Sequence, residues 1–195
     1  MVLLVLPTLG CSGRDFEIPD PVIPPGSETP EVPADEPVYI ASAAELEALG
    51  SVAAGTVVIW RDGTYADQVA ELKSGGTAEK PVVLRSETPG GVRFTGASYL
   101  SVSGNHAQVS GFWWQNPKPV KGKAVVTLAR GTEECTLRDC AITGDDTKED
   151  ASTDTKWVSL FGWHNRVEGC TFRDKRNIGT LLVIWLETGV VPEHT

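Results

Sequence analysis

The chain has 195 residues and 41% hydrophobic content, enough for one domain with a sizeable core. Its net charge of −9 offers no basic face of the kind that nucleic acid requires. No apolar run approaches the roughly 20 residues that span a bilayer. The charge is uneven. Residues 15–36 hold seven acids and no bases, whereas residues 37–195 carry 16 basic against 19 acidic side chains. The main body is therefore nearly balanced, and an anionic partner remains compatible with it because local fields outweigh net charge.

Residues 1–11 read as a lipoprotein signal. Val2 to Leu6 is apolar, and Thr8-Leu9-Gly10-Cys11 places a small residue before cysteine. On that reading Cys11 is the lipidated residue, the true start lies upstream, and the product is an exported periplasmic or cell-surface lipoprotein. The alternative is an apolar leader with an idle cysteine. Residues 12–37 form a linker that contains seven of the 13 prolines. Proline and acid together favour an extended, solvated tether. Such a tether would hold residues 38–195 off a membrane that the chain touches only through its lipid.

Ser42-Ala43-Ala44-Glu45 has the capping-box pattern, and Gly50 is a suitable stop, which predicts a helix over 43–49. Val57–Trp60 reads as a strand, Asp62-Gly63 as a turn, and Val82–Leu84 as the next strand. Then the chain repeats. Ala107–Trp114, Cys135–Ile142 and Asn165–Phe172 align at offsets of 28 and 30 residues. Three columns stay apolar: Val109/Leu137/Val167, Phe112/Cys140/Cys170 and Trp114/Ile142/Phe172. A β-rich run precedes each copy: Tyr99–Ser103, Val125–Leu128 and Trp157–Phe161. A period in this range means a solenoid or a propeller. A propeller blade needs a longer period, so the expected fold is an all-β, right-handed parallel β-helix from about residue 57, with the helix as a cap just before its first coil. A single solenoid of this kind is expected to be a monomer.

The stretch Lys156-Trp157-Val158-Ser159-Leu160-Phe161-Gly162-Trp163-His164-Asn165-Arg166-Val167 resembles alginate lyases of polysaccharide lyase family six, which also contains chondroitinase B. The similarity continues through Cys170-Thr171-Phe172 and Lys175 to Gly179–Leu186. Upstream, Asp62-Gly63-Thr64-Tyr65 and Gly76–Val82 resemble the opening coils of many carbohydrate-active β-helices. The resemblance covers roughly 38–191. It implies β-elimination on a uronic-acid polymer, alginate or a dermatan/chondroitin type. A Ca2+ ion held by Asn and Glu would neutralise the substrate carboxylate, a Lys would take the proton and an Arg would help the leaving group. No position here matches those motifs. The expectation is thus an N-terminal part of such a domain, cut at its C-terminal end, with catalytic and calcium-binding residues beyond Thr195 and no activity of its own. The alternative is a non-catalytic surface protein that binds glycans.

Within the chain, Lys175, Arg176 and Asn177 follow the strand ending near Phe172. Loops after β-helix strands build substrate grooves, so these three are the candidate contacts to an anionic polysaccharide. Asp145, Asp146, Glu149, Asp150 and Asp154 fit no calcium-loop spacing and read as a solvated insertion. His164-Asn165 reads as a turn pair. Cys140 and Cys170 are read as stacked thiols, with a disulfide as the alternative. Trp113 either stacks on a sugar or lies under a loop.

Overall fold

The computed structural model describes residues 36–144 and 154–186. Residues 1–35, with Cys11 and nearly all of the linker, lie outside these. So do Asp145, Asp146, Glu149 and Asp150. The chain runs β1 (Val38–Ile40), α1 (Ala43–Ala48) and β2 (Ser51–Ala53), then β3 (Val57–Trp60), β4 (Gly63–Ala66) and β5 (Val69–Gly75). The next strands are β6 (Val82–Ser86), β7 (Val92–Thr95) and β8 (Tyr99–Asn105), then β9 (Ala107–Ser110), β10 (Phe112–Gln115) and β11 (Ala124–Leu128). Last come β12 (Thr136–Arg138), β13 (Ala141–Thr143) and β14 (Lys156–Leu160), followed by β15 (Arg166–Glu168), β16 (Thr171–Arg173) and β17 (Leu182–Ile184).

These short strands stack into three parallel sheets, ordered β1-β3-β6-β9-β12-β15, β4-β7-β10-β13-β16 and β2-β5-β8-β11-β14-β17. Each coil after the first contributes one strand to each sheet, so the described residues form a parallel β-helix. The repeat columns are true neighbours. Leu137 pairs with Val109 on one side and Val167 on the other, and Ile142 lies between Trp114 and Phe172. Because coils stack at about 4.8 Å, residues of like size and polarity meet in ladders. One ladder joins Leu72, Val102, Leu128 and Leu160. Another brings Phe94, Phe112, Trp114 and Trp60 together at ring-centroid distances of 5.0–6.3 Å.

Each aligned copy is two strands, not one. A left-handed corner separates them, at Gly111, Asp139 and Gly169, with φ of 79°, 50° and 62°. Asp tolerates this conformation because its short polar side chain bonds locally. The corner switches the chain from one sheet to the next, so inward positions do not alternate strictly across it.

The start of the solenoid differs from expectation. The β-helix begins at Val38, not near residue 57, and the helix lies inside the first coil, not before it. β1 and β2 join the first and third sheets, and α1 takes the place that a strand of the second sheet fills in every later coil. The physical reason is the open end of the core. A strand there would leave its own edge unpaired, whereas α1 bonds internally and inserts Leu46, 1% exposed, over the core. Its cap forms as the pattern requires, with Ser42 Oγ accepting from Glu45 N at 3.2 Å. The reciprocal Glu45 bond reaches Ala41 N at 2.8 Å, one residue before the cap.

Candidate functional site

Cations and aromatics converge where the chain leaves β16 and returns toward β17. Asp174 takes a left-handed conformation, φ 60°, and reverses the chain. Lys175 Nζ then donates to Asn177 O at 2.9 Å, Asn177 Oδ1 at 2.5 Å and Ile178 O at 3.0 Å. It also lies 5.9 Å from the centre of the Trp157 ring. Trp157 is buried at the start of β14 and packs its ring 6.4 Å from Phe172. Burial lowers the Lys175 pKa from its ordinary value, and the Asp154 carboxylate partly opposes this. Asp154 in turn lies 3.5 Å from Lys156 Nζ.

Of the three residues expected to meet substrate, Lys175 and Asn177 are thus brought together, and Arg176 is exposed beside them. An ammonium has three donors, and those of Lys175 have three acceptors within its own turn. Its charge can meet a carboxylate only if one of these bonds is exchanged. No sequence pattern marks this tether, because the acceptors are two backbone carbonyls and one side chain in a turn of irregular shape.

The neighbouring corner carries a second group of charges. His164 Nδ1 is 3.6 Å from Glu134 and 3.8 Å from Glu133, and Arg166 Nη2 is 3.3 Å from Glu134. Asn165 ties this corner to the previous coil. Its Oδ1 accepts from Cys135 N at 2.8 Å, and its Nδ2 donates to Thr132 Oγ1 at 2.9 Å and Phe161 O at 2.6 Å. The side chain satisfies turn backbone on both sides, as Asn does readily. His164 is exposed and lies within 4 Å of the Glu133 and Glu134 carboxylates.

Trp113 is 8% exposed. The Arg93 guanidinium lies 5.0 Å over its ring, and its Nε1 donates to Thr143 Oγ1 at 3.0 Å. Its ring face is therefore covered. Sequence reasoning missed an aromatic ladder: Phe161 and Trp185 stack in parallel at 5.6 Å, and Arg130 lies 4.8 Å over the Phe161 ring. The pair follows from the register that the fold creates, because Leu160 pairs with Ile184 just before the two rings. The Phe161 ring is engaged by both Trp185 and Arg130, and Trp185 stays 39% exposed. Among the described residues, no three His, Cys, Asp or Glu side chains are grouped to hold a metal ion.

Residues 40–190 match the family model described as chondroitinase B. The chain is similar to a solved PL6 family alginate lyase, AlyGC, with a TM-score of 0.71 and 27% identity, over 77% of this chain and 21% of that one. It is also similar to a mannuronic acid specific polysaccharide family 6 lyase from human gut microbiota, with a TM-score of 0.68, 25% identity and coverage of 77% and 37%. A PL6 family polysaccharide lyase from Pseudopedobacter saltans gives 0.68, 27%, 75% and 34%. No curated protein matches the sequence. The chain spans 21% to 37% of the length of these solved relatives.

Proposed function

This chain belongs to the chondroitinase B family, and from that premise we propose that its coils are the N-terminal part of a polysaccharide lyase domain that cleaves uronic-acid polymers by β-elimination. The observation that carries the reading is the family match over residues 40–190, on a fold shared with alginate lyases. In this proposal the substrate is an anionic polysaccharide of the alginate or dermatan/chondroitin type. The coils seen here build one wall of the binding groove. Lys175 shapes that wall by holding its turn closed, with Arg176 and Asn177 beside it. Calcium, when bound by the whole protein, would offset the charge of the substrate carboxylate.

A second part of the proposal is that these coils do not turn over substrate by themselves. Two observations support it: the small share of the solved relatives that the chain spans, and a Lys175 ammonium already saturated within its turn. The test is direct. Purified chain is incubated with alginate or dermatan sulfate and calcium, and near-ultraviolet absorbance of unsaturated products is followed. No absorbance is expected from this chain. Product formation would overturn the second part, and Lys156, His164, Lys175 and Arg176 would be the first residues to mutate. Retarded migration of the chain in a gel containing either polymer, without product, would be the mark of a glycan-binding protein that does no chemistry. Export and anchoring through a lipid on Cys11 complete the proposal. Mass spectrometry of the membrane fraction should find that lipid, and an unmodified Met1 in the cytoplasm would contradict it.

A further inference from the structure

Cys140 and Cys170 hold one position of the repeat in adjacent coils. The register pairs Ala141↔Thr171 and Ile142↔Phe172 follow directly after them, and Thr171 N donates to Cys140 O at 2.8 Å. Residues in register across parallel strands are about 4.8 Å apart. A disulfide needs a Cα separation of about 4.4–6.8 Å, so this position meets the distance requirement without moving a strand. Both residues are free thiols, and their sulfurs share a hydrogen bond that Cys140 donates and Cys170 accepts. Cys170 Sγ also donates to Glu168 O at 3.4 Å and Leu137 O at 3.6 Å, and Cys135 Sγ donates to Gly104 O at 3.4 Å and Glu133 O at 3.6 Å.

The surroundings give the two thiols different characters. Burial raises the pKa of Cys140, which is 1% exposed, and its role as donor raises it further. The same hydrogen bond lowers the pKa of Cys170, outweighing the effect of its own partial burial. Cys170 is also the less buried of the two. The thiolate is the nucleophile in exchange chemistry, so Cys170 is the sulfur suited to react first and Cys140 the one suited to resolve.

We infer that Cys140 and Cys170 are a dithiol that closes to an inter-coil disulfide when it meets a small-molecule disulfide, stapling the coil of β12 and β13 to the coil of β15 and β16. The Cys170 thiolate attacks one sulfur of the external disulfide, forming a mixed disulfide and releasing one small thiolate. Cys140 gives up its proton and attacks the Cys170 sulfur, which expels the second small thiol. Two protein thiols are oxidised by two electrons, and one external disulfide is reduced to two thiols. β16 starts at the residue after Cys170 and leads straight into the Lys175 turn, so the staple fixes the base of that turn. The inference stands on the register of the coils and does not depend on the proposed activity.

The experiment uses the full chain, purified under reductant and divided into a reduced arm and an arm treated with oxidised glutathione. Tryptic cleavage after Arg138, Lys148, Arg166 and Arg173 separates Cys135, Cys140 and Cys170 into different peptides. Mass spectrometry of the oxidised arm should find the Cys140 and Cys170 peptides joined, with the loss of two hydrogens. Closing a loop of this length should raise the thermal midpoint by on the order of 10 °C. Cys140→Ser and Cys170→Ser should lose both the link and the shift, and Cys11→Ser and Cys135→Ser should keep them. Wild-type peptide mapping decides the matter even where a variant fails to fold. A glutathione adduct that persists on Cys170, a link that involves Cys11 or Cys135, or an oxidised midpoint no higher than the reduced one overturns the inference.

Discussion

Lys175 sits where a charge is costly, partly buried against the Trp157 ring, and the turn compensates by giving its ammonium three oxygen acceptors. Desolvation still wins, and its pKa lies below the ordinary lysine value. The consequence for stability has a definite sign. At pH below the folded pKa, both folded and unfolded chains carry the proton, and the folded state bears the full desolvation cost. Between the folded and unfolded values the unfolded chain binds more protons, so this group's contribution to stability rises with pH, and above both the cost is gone. Carbon-13 NMR of lysine-labelled protein, with Lys175→Arg to assign the resonance, should show Lys175 losing its proton below the ordinary lysine range. A midpoint at or above that range would contradict the burial argument. Asn165 illustrates the opposite economy, since a neutral side chain reaches backbone on two coils and needs no charge to do so.

Corners decide the shape of each element, and two glycines separate the causes of their cost. Gly131 and Gly162 both have φ of +74° at equivalent corners of successive coils. A Cβ on Gly131 would meet nothing within 4 Å, whereas one on Gly162 would lie 1.9 Å from Thr132 O. Backbone oxygen in a sheet corner cannot move aside. Gly131→Ala should therefore cost about 1–2 kcal/mol, the left-handed penalty alone. Gly162→Ala should cost about 3 kcal/mol or more, because overpacking adds to the same penalty. Urea denaturation of the two variants measures the difference, and equal losses would show that the corner relaxes. The first coil makes the same point through α1. The capping-box pattern specified a helix whatever its neighbours, but its place in the coil was set by the core end that Leu46 covers.

Along the described solenoid, each coil pairs its strands with the coils before and after it, so stability is close to a sum of coil and interface terms. Leu137 lies fully buried between Val109 and Val167. Leu137→Ala should cost about 2–5 kcal/mol, and the loss should be local. Hydrogen exchange read by mass spectrometry should show faster opening of β9, β12 and β15, with β1 and β3 little changed. Uniform loss of protection down to β1 would mean that the solenoid opens as one unit. The same one-dimensional logic applies to the groove proposed above, because a groove along a solenoid is assembled coil by coil and these coils would shape only the part that they line.

The repeat was legible in the sequence because stacking at a fixed spacing forces like residues into columns, and Val109/Leu137/Val167 and Trp114/Ile142/Phe172 displayed it at offsets of 28 and 30 residues. The helix was legible because its cap is local, and the family resemblance because a long stretch from Lys156 carries it. The tertiary structure alone decided what depends on where coils meet. It brought the first strand to Val38, where the three residues of β1 are too short to announce themselves until β3 pairs with them. It covered Trp113 with Arg93 and stacked Phe161 on Trp185, because those partners lie 20 to 24 residues away and no pattern links them. It closed Lys175 onto Asn177, since an irregular turn is shaped by its hydrogen bonds and not by periodicity. It also set Cys140 beside Cys170, which the column predicted, and gave them the unequal burial and the shared hydrogen bond that no column shows.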